Sequence, residues 1–307
     1  MQREKITKSG PLLEADFFPT FDSGKKIPVR APKKKPTKKA MEKYNALQAT
    51  KKLVRLVNAN FGDEDYFLHP TYDPIYAPQS EEQARRDIVN YLRRVKRRRE
   101  KECEKLKAEL KEVKAIYNAM PMNRYIEKQI LEIKGKIKKL EEPFRYIYVI
   151  EKQVYKTGIY AGLVNWHFHL FVSGGLPSRV LEGMWGKGIR CNCDNYQPDK
   201  FGPEAAAKYI SKDPQGAKRF CYSRNLKKPK VKVKDGSVSR RKVEIMAKLR
   251  VDDAEYWETR YKGYKFLRCY PRYNEYNGFW YLSVVMYKSG DSPPAWNQNE
   301  WLTEDFM

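Results

Sequence analysis

Between residues 88 and 140 apolar side chains recur at spacings of three and four, a rhythm that constrains the fold more than any other feature of the chain. Ile88, Leu92, Val95, Cys103, Leu106, Leu110, Val113 and Tyr117 carry it through one stretch, and Ile126, Ile130, Ile133, Ile137 and Leu140 through a second. At 3.6 residues per turn each set forms a stripe along a helix, and each stripe needs an apolar partner. Met120-Pro121-Met122 stands between them. Proline interrupts a helix, so the two stretches are expected to pack on each other as an antiparallel hairpin over 80–142. Ser80 can cap the first helix and Glu81 and Glu82 complement its N-terminus; running to about Ala119, it would extend roughly 60 Å.

After residue 144 the period shortens to two. Phe144 to Glu151 and Asn165 to Ser173 are aromatic and β-branched, bounded by glycine-bearing loops, and read as two adjacent antiparallel strands. Tyr66 to Pro74 reads as a strand that ends in a turn at Asp73-Pro74, ahead of the hairpin. Pro177-Ser178 introduces a helix, Gly188 to Asn192 a short strand, Pro203 a helix over 204–212, and Arg219 to Arg224 a further strand. This order implies an α+β fold: a central antiparallel sheet with packed helices and an inserted helical hairpin.

The flanks are basic. Pro28, Pro32 and Pro36 punctuate Lys33, Lys34, Lys35, Lys38 and Lys39, so residues 1–60 read as a partly disordered arm ending in a short helix from Met41, with Tyr44, Leu47, Leu53, Val54 and Val57 on one side. Residues 225–242, with Lys227, Lys228, Lys230, Lys232 and Lys234, read as a mobile, phosphate-facing loop. Residues 243–307 form an aromatic-rich accessory region with a strand at Phe279 to Tyr287. Within the hairpin, residues 93–101 hold seven Lys or Arg, among them Arg97 and Arg98.

In total 62 basic residues face 38 acidic ones, a net charge of +24 that points to a polyanionic partner. No apolar run suggests a signal peptide or a membrane span, and five cysteines without framework spacing suggest a reducing, cytoplasmic compartment. Cys191 and Cys193 with Cys221 lack the partners that would complete a zinc site. No phosphate-binding loop of the G-x-x-x-x-G-K-[ST] type is present, which argues against a nucleotide cofactor.

The chain has three histidines, His69, His167 and His169. Alternation places the last two on one face of their strand, where two imidazoles can converge on a divalent cation; two ordinary sheet-face histidines are the alternative. Glu151, at the end of the neighbouring strand, can reach that face, with Gln153 on the same parity as a substitute. Tyr209 and Lys212 share one face of the helix over 204–212.

Taken together these motifs resemble those of HUH endonucleases. His167-Phe168-His169 is similar to the family's histidine pair, Tyr209-Ile210-Ser211-Lys212 to its single-tyrosine Y-x-x-K motif, and Phe67 to Asp73 to its first motif, with His69-Pro70 as a departure. The resemblance implies a Mg or Mn site formed by His167, His169 and Glu151, nicking of single-stranded or hairpin origin DNA by Tyr209 with help from Lys212, and a covalent 5′-phosphotyrosine. It further implies rolling-circle replication of a bacterial plasmid, integrative element or small phage, with a helicase and polymerase supplied by the host. An HUH transposase or conjugative relaxase would use the same residues. A basic DNA-binding regulator is the rival without chemistry.

Overall fold

The computed structural model describes residues 1–21, 38–119, 123–154, 161–188, 191–195 and 220–290. Within them the chain forms two compact units, one from residues up to 60 and after 226, the other from the chain between. Both are α+β, and each holds a five-stranded antiparallel sheet in place of the single sheet expected.

The N-terminal stretch corrects the sequence reading. Strands β1 (Gln2–Ser9) and β2 (Leu12–Pro19) pair as a hairpin where a disordered arm was expected. Leu13, Ala15 and Phe17 are buried, alternating with Glu14 and Asp16, which is the period of a half-buried sheet. Gly10 turns the hairpin at φ +58°, and a Cβ there would fall 2.0 Å from the carbonyl oxygen of Asn58. Only glycine fits both constraints. Helix α1 (Lys38–Asn60) buries Leu53, Val54, Leu56 and Val57, and its Arg55 pairs with Glu14 of β2. Tyr44 is exposed and Leu47 only half-buried, so the fully buried apolar side covers only the C-terminal half of the helix.

The second unit begins with β3 (Tyr66–Pro70), followed by α2 (Glu81–Ala119) and α3 (Arg124–Glu141). The helical stripes behave as their spacing predicts. Ile88, Leu92, Val95, Cys103, Leu106 and Val113 are buried against Ile126, Ile130, Ile133, Ile137 and Leu140. Ser80 accepts from the Gln83 amide at the start of α2, and Asn123 accepts from Tyr125 and Ile126 at the start of α3. Truncating Ile133 to alanine would cost about 2–5 kcal/mol. Arg99 does not belong to a uniform phosphate-facing face: it is 3% exposed and donates to the carbonyls of Lys139, Leu140 and Glu142, capping the last turn of α3, and to that of Ser173.

Strands β4 (Tyr146–Val154), β5 (Val164–Val172), β6 (Cys191–Asn195) and β7 (Cys221–Tyr222), with helix α4 (Ser178–Gly183), complete this unit, and the sheet runs β6-β3-β5-β4-β7. Leu68, Tyr148, Ile150, Phe168 and Leu170 pack on the hairpin side. By alternation, Phe67, His69, Val149, Glu151, His167, His169 and Phe171 take the other face.

The basic loop is also corrected. Lys230–Asp235 is strand β8, paired with β1, and Ser239 caps helix α5 (Arg240–Leu249). In Lys-Val-Lys-Val-Lys-Asp the lysines share one face and the valines the other; charge density hid an edge strand, where exposed lysines also discourage pairing with another chain. Helix α6 (Ala254–Arg260) and strands β9 (Tyr264–Asn274) and β10 (Phe279–Lys288) follow, giving the order β8-β1-β2-β10-β9. The aromatic-rich region therefore joins the N-terminus in one core, in which Val243, Met246 and Trp257 pack with Phe17, Val284 and Met286.

Candidate metal centre

The β4–β5 ladder builds the centre. Glu151 pairs with His167 and Val149 with His169, so the three polar side chains leave one face of two adjacent strands within three residues of length. One carboxylate oxygen serves both rings: Glu151 Oε2 lies 2.9 Å from His167 Nε2 and 2.9 Å from His169 Nε2. The ligand atoms of these three residues all lie within 4.8 Å of one another. Two donors at right angles, each about 2.1 Å from a small divalent cation, stand about 3 Å apart. The carboxylate-imidazole spacing fits that requirement, and among the described residues all three donors come from one side, an arrangement that can leave positions for substrate oxygens.

Electrostatics agree with the geometry. Burial first, and then the neighbouring His69 and His167, lower the pKa of His169 to about 4, outweighing the Glu151 carboxylate, which raises it. His69 is also lowered, first by burial. Both rings are neutral at pH 7, the form a cation requires. Around them, Phe67 stacks on Phe171 at 4.5 Å between centroids and meets His69 edge-on at 4.4 Å, an apolar wall that fixes the imidazole planes. At the far end Thr71 bridges to His167. Trp185 Nε1 donates to the Thr71 carbonyl, and Gly188 passes so close that a Cβ would fall 1.9 Å from the same oxygen.

Sequence reading gave His69 no direct role. In the structure its Nδ1 lies 3.0 Å from Nδ1 of His169. The pairing Leu68↔Leu170 carries the antiparallel register on to this contact, and nothing local to residue 69 announces it. Tyr209, Lys212, Lys33, Lys34 and Lys35 lie outside the described residues, as does the side chain of Gln153. Arg97 and Arg98 are exposed on α2, and Lys227, Lys228, Lys230 and Lys232 are exposed in the other unit. Burial pushes the Cys191 thiol up to about 12, which favours the neutral thiol over a ligating thiolate. Among the described residues no helix is long and apolar enough to cross a membrane.

Comparison with known protein families, with curated proteins and with solved structures finds no match to this chain.

Proposed function

We propose that this protein is a metal-dependent endonuclease and strand transferase for single-stranded DNA, of the HUH kind, that initiates rolling-circle replication. The observation that carries the reading is the convergence of His167 and His169 on one oxygen of Glu151. A regulator that only binds DNA has no use for two imidazoles and a carboxylate gathered at cation spacing. The basic composition and the order of the sequence motifs support the DNA substrate.

In this reading His167, His169 and Glu151 hold Mg or Mn, which when bound polarises the scissile phosphate. The Tyr209 hydroxyl oxygen attacks phosphorus. Its bond to phosphorus forms as the P–O3′ bond breaks, the phenolic proton is lost, and the leaving oxygen takes up a proton to become a free 3′-OH. Lys212 offsets charge on the phosphate. The 3′-OH would prime a host polymerase, with unwinding by a host helicase.

The test is incubation with single-stranded and hairpin DNA libraries plus Mn or Mg, then denaturing electrophoresis. A protein-DNA adduct that chelator prevents is expected. Nicking that persists undiminished in excess chelator, or in the His167→Ala protein, would overturn the reading.

A further inference from the structure

We propose that His69 is a positioning residue of the cation site: its Nδ1 pairs with Nδ1 of His169 in either tautomer, and so lets the proton leave Nε2 when that nitrogen serves as a ligand. The inference rests on reading the cluster as a cation site, and it adds a residue that the paired-histidine motif does not contain.

Proton count couples the two rings. Two imidazole nitrogens 3.0 Å apart form a hydrogen bond only when one carries the proton and the other a lone pair. A neutral ring has one N–H. With Nε2 of His169 donating to the Glu151 carboxylate 2.9 Å away, its Nδ1 has the lone pair and accepts from His69. With the Nε2 lone pair given to a cation, Nδ1 carries the proton and His69 must accept it. The two rings therefore change tautomer together, in opposite senses. His169 is 1% exposed, and His69 Nδ1 stands in place to satisfy its Nδ1 in either state, a role that carboxylates and carbonyls fill at other metal-bound histidines. Histidine at 69 suits both states because its Nδ1 can donate or accept. A carboxylate there would only accept.

The contact is built rather than incidental. His69 projects from β3 onto the face that carries His169 on β5, and Phe67, two residues earlier, closes against its ring edge-on.

The experiment uses Mn alone for affinity and Mg for spectroscopy, on the full chain. Isothermal titration should show His69→Phe weakened about 10- to 100-fold for Mn, the size of an outer-shell loss, with His69→Asn recovering most of it because an amide can also donate or accept. Long-range nitrogen–proton correlation on histidine-labelled wild type should show His169 passing from Nε2–H to Nδ1–H as Mg is added, with His69 passing the other way. Unchanged Mn affinity in a folded His69→Phe protein, or a His169 that stays Nε2–H at saturating Mg, would overturn the proposal. If His69→Phe does not fold, the wild-type spectra decide. Wild type that binds Mn with the predicted tautomer change yet never nicks DNA would remove the nuclease reading and leave His69's role standing. Wild type that does not bind Mn removes both.

Discussion

Glu151 stands directly opposite His167 in the β4–β5 ladder, its Oε2 2.9 Å from the ring's Nε2. Backbone register, not side-chain chance, sets this contact: a slip of one residue would send Glu151 to the hairpin side of the sheet. Replacing His167, His169 or Glu151 singly by alanine should reduce Mn affinity by more than the about 10- to 100-fold typical of outer-shell losses. Calorimetric titration checks it, with far-ultraviolet circular dichroism to confirm the fold. Unchanged affinity in any one variant would strike that residue from the ligand set.

For the nucleophile, Tyr209→Phe should lose the adduct while keeping DNA affinity, since only a hydroxyl is removed. Among the described tyrosines, Tyr222 is an instructive control. It pairs with Ile147 and so shares the sheet face of Glu151, but four residues away, about 13 Å along the strand. Peptide mapping of the adduct to Tyr222 in place of Tyr209 would refute the assignment.

Arg99 and its neighbours should separate stability from binding. Arg99→Met leaves the end of α3 without the donor that caps its carbonyls, a loss of about 2–4 kcal/mol in urea unfolding. Arg97 and Arg98 are exposed, and changing either to Gln should shift stability by no more than about 0.5 kcal/mol. Equal destabilisation at 97, 98 and 99 would contradict the buried cap.

Glu4 gives a pH signature to the N-terminal unit. Its carboxylate is 2% exposed, and burial alone would raise its pKa. Hydrogen bonds from Tyr261 at 2.7 Å and Arg260 at 3.1 Å, with Lys234 at 4.0 Å, outweigh burial and hold it below the ordinary carboxylate value. A folded-state pKa below the unfolded one means stability that is complete above the unfolded pKa near 4.5 and is lost as pH falls through the folded value. Thermal melts of wild type should decline in that acidic window more steeply than those of Glu4→Gln, which should already be less stable at pH 7. Parallel pH profiles would show that Glu4 is not ionised in the fold.

These tests bear on different parts of what the sequence disclosed. The helical hairpin was legible because three-and-four spacing is a local property, and Ile126 to Leu140 state it without reference to any partner. The histidine pair was legible for the same reason, since alternation alone puts His167 and His169 on one face. Strands β1 and β2 were not, because β8 and β10, the strands that flank their hairpin in the sheet, lie more than 200 residues away and the buried Glu4 interrupts the apolar alternation that would have marked β1. The turn at Gly10-Pro11 and the alternation Leu13, Ala15, Phe17 were the available signal, masked by the lysine-proline run that follows. His69 was illegible in principle: its contact depends on how β3 registers against a strand 100 residues later.

Exposed lysines lead into and line β8. Lys234 approaches Glu4 and shares its charge with that carboxylate, so it is a weaker phosphate contact than the sequence alone implied. Lys227, Lys228, Lys230 and Lys232 remain exposed. Each that engages single-stranded DNA should add about 0.7 to the negative log-log salt slope, so converting all four to Gln should flatten it by at most about three units and lower affinity alike for all sequences. Adding Lys234→Gln should flatten it little further, while lowering stability by removing a charge near buried Glu4. Anisotropy titrations across a salt series decide it. An unchanged slope after the fourfold change would mean that β8 serves only as the sheet's edge. A loss confined to particular hairpins would mean that these lysines read DNA shape.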